Sequence, residues 1–339
     1  MSKPSASGHD CDWLPPELEA VALRLARADA AALELARLVS RWSARGPLGL
    51  TQIERVPGSF DIEVTAIRPV PPLVGMLFSE AVHHLRSAME NTLYFLVEQA
   101  RGSSLPEDEA KRIEMPVLAD AAAMARWHTD KARRVPELGA ATVLGRRIAS
   151  LQPHCDPSTV PSIDTRLAAL MGITPVVEAP LVLLQRYSNV DKHRSIRVGV
   201  ARSMFNMDSA PAAARTRQFE PIEVGMVLET VPKGTLEFAE AQTAVVVERP
   251  DGMTMVAPAA ELSRLHRHVA EVVIPTLVKG VALTRSLPPS MDLSDTGETA
   301  RERLQAGAWD YAHDRFADEA AALYEQASRE PALFLDTQS

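Results

Sequence analysis

The chain has 339 residues, 46% of them hydrophobic, which suffices for one large domain or two smaller ones with a buried core. It contains only two cysteines, Cys11 and Cys155, and it has neither a charged-then-apolar leader nor an apolar run of about 18 residues. We therefore expect no disulfide framework, no secretion and no membrane span, and we predict a cytoplasmic protein.

The net charge of −8 lies mostly in residues 290–339, where eleven acidic side chains oppose four basic ones. Between residues 121 and 150 the balance is reversed, because six basic side chains oppose two acidic ones. Contacts with phosphate depend on local basic patches, so the acidic overall charge does not exclude RNA as a partner. A solvated charged surface explains the same residues equally simply.

The N-terminal part is predicted to contain a flexible arm, residues 1–14, followed by a long helix over 18–43. Apolar residues along this helix recur at steps of three and four: Leu18, Val21, Leu25, Ala28, Ala32, Leu35, Val39 and Trp42. Such a seam has to pack on another helix, either of the same chain or of a second copy. A homodimer through this first helix is one of the two arrangements that we expect.

A β-hairpin and a second long helix are predicted next. Pro57 and Gly58 form a turn signal, after which apolar and polar residues alternate up to residue 66. The second helix is predicted over 73–100 and is amphipathic. Its polar face carries five side chains: His83, Arg86, Ser87, Glu90 and Tyr94.

The remainder of the chain alternates between the two kinds of structure. We predict short helices near 119–134 and 140–151, a helix over 179–193, strands over 196–200, 224–231 and 235–248, and a helix over 259–283 kinked at Pro275. The predicted class is therefore α+β, a bundle of long helices packed against an antiparallel β-sheet. The predicted domains are the arm, a single core over 15–284, and a linker with an acidic helical tail over 285–339.

Motifs for common cofactors and metals are missing from the sequence. It has no GxGxxG, GxxxxGK[ST] or GxSxG pattern, and no histidine or cysteine pair with the spacing of a zinc site. We expect neither a metal nor a cofactor.

One short stretch, residues 185–194, concentrates the polar chemistry of the chain. In a helix at about 100° per residue, Arg186, Asn189 and His193 share one face. A histidine can transfer protons near neutral pH, and an arginine can stabilise a phosphate. With Asn189 orienting the phosphate, these are the roles that metal-independent RNA cleavage by the RNA's own 2′-OH requires.

Supporting residues are predicted around this face. His83, Arg86 and Glu90 of the second helix would complete the pocket if the two helices lie side by side. Three further side chains of the motif, Asp191, Lys192 and Arg194, would assist binding. In the alternative interpretation, the same residues form a polar network that fastens the helices of a non-enzymatic, homodimeric binding or scaffold protein.

Four passages of the chain resemble a widespread group of uncharacterised bacterial proteins. They are HHLRSAME at 83–90, IEMPV at 113–117, LQPH at 151–154 and NVDKHR at 189–194. Members of that group read roughly HNLRSALDHL, FPI, LQPY and NIDKHR in the same order, and the similarity covers about residues 18–280. It leaves the acidic tail outside.

The chain also resembles the HEPN superfamily, more remotely. The resemblance lies in an arginine that is followed by six residues and a histidine, on a helix that lies beside another helix with a polar face. Many members of that superfamily are metal-independent ribonucleases of toxin and defence systems, usually acting as dimers. The resemblance implies a ribonuclease of stress response or phage defence, with Arg186 and His193 in the catalytic roles. If Arg186 has no functional role, His193 and Arg194 are the stronger candidates for functional residues, and they need not be catalytic.

Overall fold

The computed structural model describes residues 11–203, 219–233 and 243–329 of the chain. Its α-helices in these ranges are α1 Glu19–Ser43, α2 Leu73–Arg101, α3 Glu107–Ala110, α4 Ala121–Ala132, α5 Val143–Ser150, α6 Thr165–Met171, α7 Pro180–His193, α8 Pro258–His268, α9 Ile274–Lys279, α10 Ala300–Ala306 and α11 Ala312–Arg329. Its strands are β1 Leu48–Val56, β2 Ser59–Ile67, β3 Val160–Pro161, β4 Val177–Glu178, β5 Val198–Ser203, β6 Phe219–Pro221, β7 Val227–Pro232, β8 Thr243–Glu248 and β9 Met255–Val256.

The predicted α+β class is confirmed. The long helices α1, α2, α7 and α8 pack together, and the strands form antiparallel sheets in the orders β1-β2-β7, β3-β4 and β6-β5-β8-β9. The predicted strand over 235–248 is observed from residue 243, and its first part, 235–242, lies outside the described residues.

Helix α1 lies at the centre of the core. Its apolar seam is buried from Val21 to Leu35, and Trp42 near its end is also buried. Helices α2, α8, α10 and α11 of the same chain all pack against it. The seam is therefore covered within the chain, and the predicted homodimer gains no support from it.

The predicted hairpin is confirmed as β1 and β2, joined at Pro57 and Gly58. Gly58 has a φ of 92°, and a proline followed by a residue with positive φ is the pattern of a type II turn. On β2 only Ile62 and Val64 are fully buried, so this sheet is attached to the core through its middle.

The predicted helix over 259–283 forms in three pieces. Helix α8 ends at His268, one π-turn covers Val269–Val273, and α9 continues from Ile274. Pro275 has no N–H for the helical ladder, which explains why the regular pattern is interrupted directly before it. Gly280, with a φ of 84°, ends the helix at a position where a side chain would be strained.

The C-terminal helices continue the core instead of forming a separate tail. The buried carboxylate of Asp29 on α1 accepts a hydrogen bond from the backbone N–H of Ala312 at 2.7 Å. The same carboxylate forms an ion pair with Arg315. Helix α11 thereby docks on α1, and Arg301 of α10 forms an ion pair of 2.7 Å with Glu19 of α1, so the described part of the predicted tail belongs to the core. Residues 330–339 lie outside the described residues.

The end of the predicted arm is also anchored. Cys11 and Leu14 are buried, and their carbonyl oxygens accept hydrogen bonds from Arg301 of α10 at 3.1 and 3.0 Å. The prediction of a flexible arm is therefore wrong for residues 11–14, because the guanidinium satisfies backbone groups that would otherwise need water. Residues 1–10 lie outside the described part of the chain.

A buried ion pair joins the helices to two of the sheets. Arg249, directly after β8, makes two hydrogen bonds of 2.8 Å with Glu261 on α8, and both side chains are almost fully buried. The hydroxyl of Tyr187 on α7 donates to Glu261 at 3.2 Å, and Arg249 also donates to the carbonyls of Val160 and Val176. The Arg249 guanidinium therefore joins α8, β3 and the residue before β4, and the Glu261 carboxylate joins α7 to them.

Among the described residues, none of the helices combines the length and the apolar character that crossing a lipid bilayer requires.

We expect Glu261→Ala to lower the free energy of unfolding by about 3–5 kcal/mol, because it leaves Arg249 charged and buried without a partner. Tyr187→Phe removes only one hydroxyl and should cost about 1 kcal/mol. Urea unfolding followed by circular dichroism measures both. Equal effects of the two substitutions would contradict this account of the network.

We expect stability to fall as the pH drops from about 6.5 to about 4. Burial lowers the pKa of His266 and of His268 to about 4, so the unfolded chain binds more protons than the folded chain in this window. Burial also raises the pKa of Asp29 to about 6 and the pKa of Glu90, which acts in the opposite direction. The lowered pKa of His84 acts in the same direction as those of His266 and His268, so the histidines outweigh the two carboxyls. His266 and His268 each contribute roughly 3 kcal/mol to the loss.

The test is urea unfolding at pH 7, 5.5 and 4.5 for the parent and for His266→Gln, which keeps a donor for the Leu25 carbonyl. The variant should lose about half of the acid-induced drop in stability. An unchanged pH dependence would refute the assignment to His266.

Candidate functional site

The polar motif lies on α7, which forms as predicted because its apolar residues face the core. Leu181, Leu183, Leu184 and Tyr187 are buried, and the ring of Tyr187 meets Phe78 of α2 edge-on at 5.0 Å. Since the helix turns by about 100° per residue, the burial of Tyr187 determines the direction of every other side chain in the motif.

The three predicted catalytic residues, Arg186, Asn189 and His193, are all exposed on the outer side of α7. Arg186 forms an ion pair of 2.8 Å with Glu178 near the start of the helix, and both side chains remain partly exposed. Asn189 and His193 make no hydrogen bond to the described part of the protein. Arg186 and His193 are about 10.5 Å apart along the axis, so they form an extended face rather than a pocket.

The face of α2 that was predicted to complete the pocket has other partners. Glu90 accepts hydrogen bonds from Arg86 at 2.6 Å and from the backbone N–H of Met115 at 2.7 Å. Burial raises the pKa of Glu90, while Arg86, the Met115 N–H and the charge of Lys192 act to lower it. Within the described ranges no hydrogen bond or ion pair joins Arg86 or Glu90 to the exposed face of α7.

Asp191 faces α2 and not the solvent side of α7. Its carboxylate accepts a hydrogen bond from the hydroxyl of Ser79, a residue that the sequence did not single out. This contact fastens the end of α7 to the first half of α2. Lys192 and Arg194 are exposed, and in the part of the chain that the structure describes neither side chain has a hydrogen bond or ion pair.

Three of the four passages noted in the sequence, 83–90, 113–117 and 151–154, meet in space around one irregular segment, residues 113–118. Glu90 binds the N–H of Met115 in this segment, and Gln152 is fully buried beside it. The Gln152 amide donates to the Pro116 carbonyl at 3.2 Å and accepts from the Leu118 N–H at 2.9 Å. The segment has no regular ladder of its own, so these side chains satisfy its backbone groups.

A cleft of about 1110 Å³, which we call the α2–α7 cleft, opens between the first half of α2 and the chain leaving α7. Its polar lining consists of Ser79, Glu80, His83, Asp191, Arg194 and Ser195. Its apolar lining consists of Val70, Pro71, Pro72, Gly75, Met76, Ile196 and Val198. An apolar wall with a few convergent polar groups is typical of small-molecule sites.

This cleft brings together three of the predicted supporting residues, His83, Asp191 and Arg194. The sequence did not single out Ser79 and Glu80, which share its polar wall and lie on the same helix at steps of three or four from His83. The helical spacing in the sequence could have indicated that Ser79, Glu80 and His83 share a face. The residues that face them across the cleft belong to a segment more than 100 positions later.

Charges around the cleft are partly paired. Glu80 accepts a hydrogen bond of 2.6 Å from Arg27 on α1, and the imidazole of His84 lies 3.8 Å from the same carboxylate oxygen. Burial lowers the pKa of His84, with the Glu80 carboxylate opposing the shift. Over the described residues, no group of three histidine, cysteine or acidic side chains is placed to hold a metal ion.

We expect His193→Ala and Asn189→Ala to change the free energy of unfolding by less than about 0.5 kcal/mol, because both side chains are exposed and bind nothing in the described fold. Asp191→Ala should cost roughly 1–2 kcal/mol, since it leaves the Ser79 hydroxyl without its acceptor. Urea unfolding of the three variants compares them directly. A large loss with His193→Ala would show that this residue supports the fold.

Comparison of the chain with protein-family models, with curated proteins and with solved structures gives no match.

Proposed function

We propose that this protein is a metal-independent endoribonuclease of the HEPN type that acts through the exposed face of α7, in stress response or phage defence. The observation that carries the proposal is the common exposure of Arg186, Asn189 and His193 on one side of the helix. Asn189 and His193 have no partner in the described structure, so neither side chain is held in place by the fold. Polar side chains with no structural task are available to bind a substrate.

The reaction that these residues catalyse is a transesterification within the RNA, in which the phosphorus exchanges its bond to the 5′ oxygen for a bond to the 2′ oxygen. His193 takes the proton of a 2′-OH, the 2′ oxygen bonds to the adjacent phosphorus, and the bond from phosphorus to the 5′ oxygen breaks. The imidazolium then donates its proton to the leaving 5′ oxygen, which yields a 2′,3′-cyclic phosphate and a 5′-OH. Arg186 stabilises the charge that develops on the phosphate, and Asn189, between the two, orients it.

Electrostatics supports contact with a polyanion at this end of α7. Lys192 and Arg194 are exposed next to His193, and Arg197, which pairs with Glu248, lies directly before β5. Arg186 has to exchange its pairing with Glu178 for the phosphate, which is feasible because the pair is partly exposed and therefore weak.

A second candidate function is binding without catalysis. It is favoured by the hydrogen bonds of Glu90 to Met115 and of Asp191 to Ser79, which show that part of the polar motif fastens the fold. In this case the protein holds its partner, RNA or a second copy of itself, and cuts nothing. We propose a homodimer for either candidate function, binding without catalysis or RNA cleavage.

The deciding experiment is cleavage of end-labelled RNA by the purified chain in EDTA, with an all-deoxy oligonucleotide as the substrate that lacks the 2′-OH. We expect RNA to be cut, leaving a cyclic phosphate, and DNA to remain intact. His193→Ala should reduce the rate by about 100-fold or more, and Arg186→Ala should reduce it by a similar order.

The matched controls are His154→Ala and Arg166→Ala, which remove an exposed histidine and an exposed arginine elsewhere. Both should cleave like the parent. Glu178→Gln should tighten RNA binding, measured by fluorescence anisotropy, because it releases Arg186 for the phosphate. RNA bound but uncut by the parent would favour the second candidate, and neither binding nor cutting would refute both RNA proposals.

A further inference from the structure

In the α2–α7 cleft, the chain that leaves α7 runs along α2 in the opposite direction to the helix. A side chain at Gly75 would lie 3.8 Å from Val198, and Ser79 is hydrogen-bonded to Asp191. The chain from Asp191 to Val198 therefore runs past α2 toward its beginning, with Arg194 between these two contacts. The four helical steps from Gly75 to Ser79 span about 6 Å, so Asp191 and Arg194 line the cleft within a short distance of each other.

The charged groups of the cleft have free bonding capacity. Ser79 uses one oxygen of the Asp191 carboxylate, and Arg27 uses one oxygen of Glu80, so each keeps a second oxygen with no hydrogen bond to the described residues. Arg194 has all its side-chain donors available within the same part of the chain. The contact with Ser79 also fixes the direction of Asp191 before any ligand arrives, which reduces the entropy cost of binding.

The charge balance decides between classes of ligand. Two guanidinium groups, Arg27 and Arg194, oppose two carboxylates, Glu80 and Asp191, so the cleft is close to neutral. A phosphate or another simple anion would have only Arg194 to pair with, because Arg27 is bound to Glu80, and it would leave the Asp191 carboxylate without a counter-charge. A molecule with one positive and one negative group satisfies both ends, since charged hydrogen bonds are the strong ones.

The apolar wall of the cleft comes from the same two segments as its polar lining, together with residues 70–72 directly before α2. Met76 is 66% exposed in this wall, and Val70, Ile196 and Val198 continue it. An exposed large hydrophobic side chain beside convergent polar groups is typical of a ligand site. This wall suits the hydrocarbon part of a small molecule.

We propose that the α2–α7 cleft binds a small zwitterion of the amino-acid type, with its carboxylate on Arg194, its ammonium group on Asp191 and Glu80, and its side chain on the apolar wall. The site shares Arg194 with the basic end of α7 but uses none of Arg186, Asn189 and His193, so it does not depend on ribonuclease activity. His83, at the far end of the polar wall, adds a hydrogen-bonding group for longer ligands.

The test is isothermal titration calorimetry of the full chain with L-leucine and with 4-aminobutanoate, whose charges are further apart. We expect saturable binding of at least one of them at millimolar concentration. N-acetyl-L-leucine and L-leucine methyl ester each lack one charge and should bind at least about tenfold more weakly. Inorganic phosphate should not bind.

Variants locate the site. Arg194→Ala and Asp191→Asn should each weaken binding by about tenfold or more. The amide introduced by Asp191→Asn still offers an oxygen to the Ser79 hydroxyl, so the fold is kept. Arg197→Ala is the matched control, because Arg197 pairs with Glu248 and does not line the cleft. His193→Ala should leave amino-acid binding unchanged, which separates this site from the RNA proposal.

Three results would overturn the proposal. They are no binding of either zwitterion, unchanged binding in both Arg194→Ala and Asp191→Asn, and phosphate binding tighter than that of the zwitterions.

Discussion

The buried ion pair between Arg249 and Glu261 is the interaction on which the arrangement of helices and sheets depends. Removing a charged group from water costs several kcal/mol unless a partner and further hydrogen bonds compensate it. Here the compensation comes from α8, from the hydroxyl of Tyr187 and from the carbonyls of Val160 and Val176. The Tyr187 hydroxyl joins α7 to this network, and the Tyr187 ring packs on Phe78 of α2.

The orientation of α7 in turn divides its polar motif. With Tyr187 held inside, Asp191 points to α2, while Arg186, Asn189 and His193 point to solvent. A stretch that looks like one site in the sequence therefore serves two surfaces on different sides of the helix. One surface presents exposed polar side chains to solvent, and the other lines the α2–α7 cleft.

The hydrogen bonds around residues 113–118 give a physical reason for the positions of Glu90 and Gln152. An irregular segment inside a protein has backbone groups that no ladder satisfies, and here Glu90 and Gln152 satisfy them. Substituting either side chain would orphan buried donors and acceptors. These residues fit a structural requirement, and the exposed groups on α7 and the cleft are the places where chemistry with a partner can occur.

The sequence by itself determined the local structure: the long helices, the hairpin and the interruption at Pro275 follow from periodicity and turn residues that act within a few positions. The tertiary structure alone decided which residues share a site. Ser79 and Asp191 are 112 positions apart, and Asp29 and Ala312 are 283 apart, so no local pattern relates them. Burial of Arg249 with Glu261 was equally invisible, because a charged residue is predicted to be exposed until a specific partner compensates its desolvation.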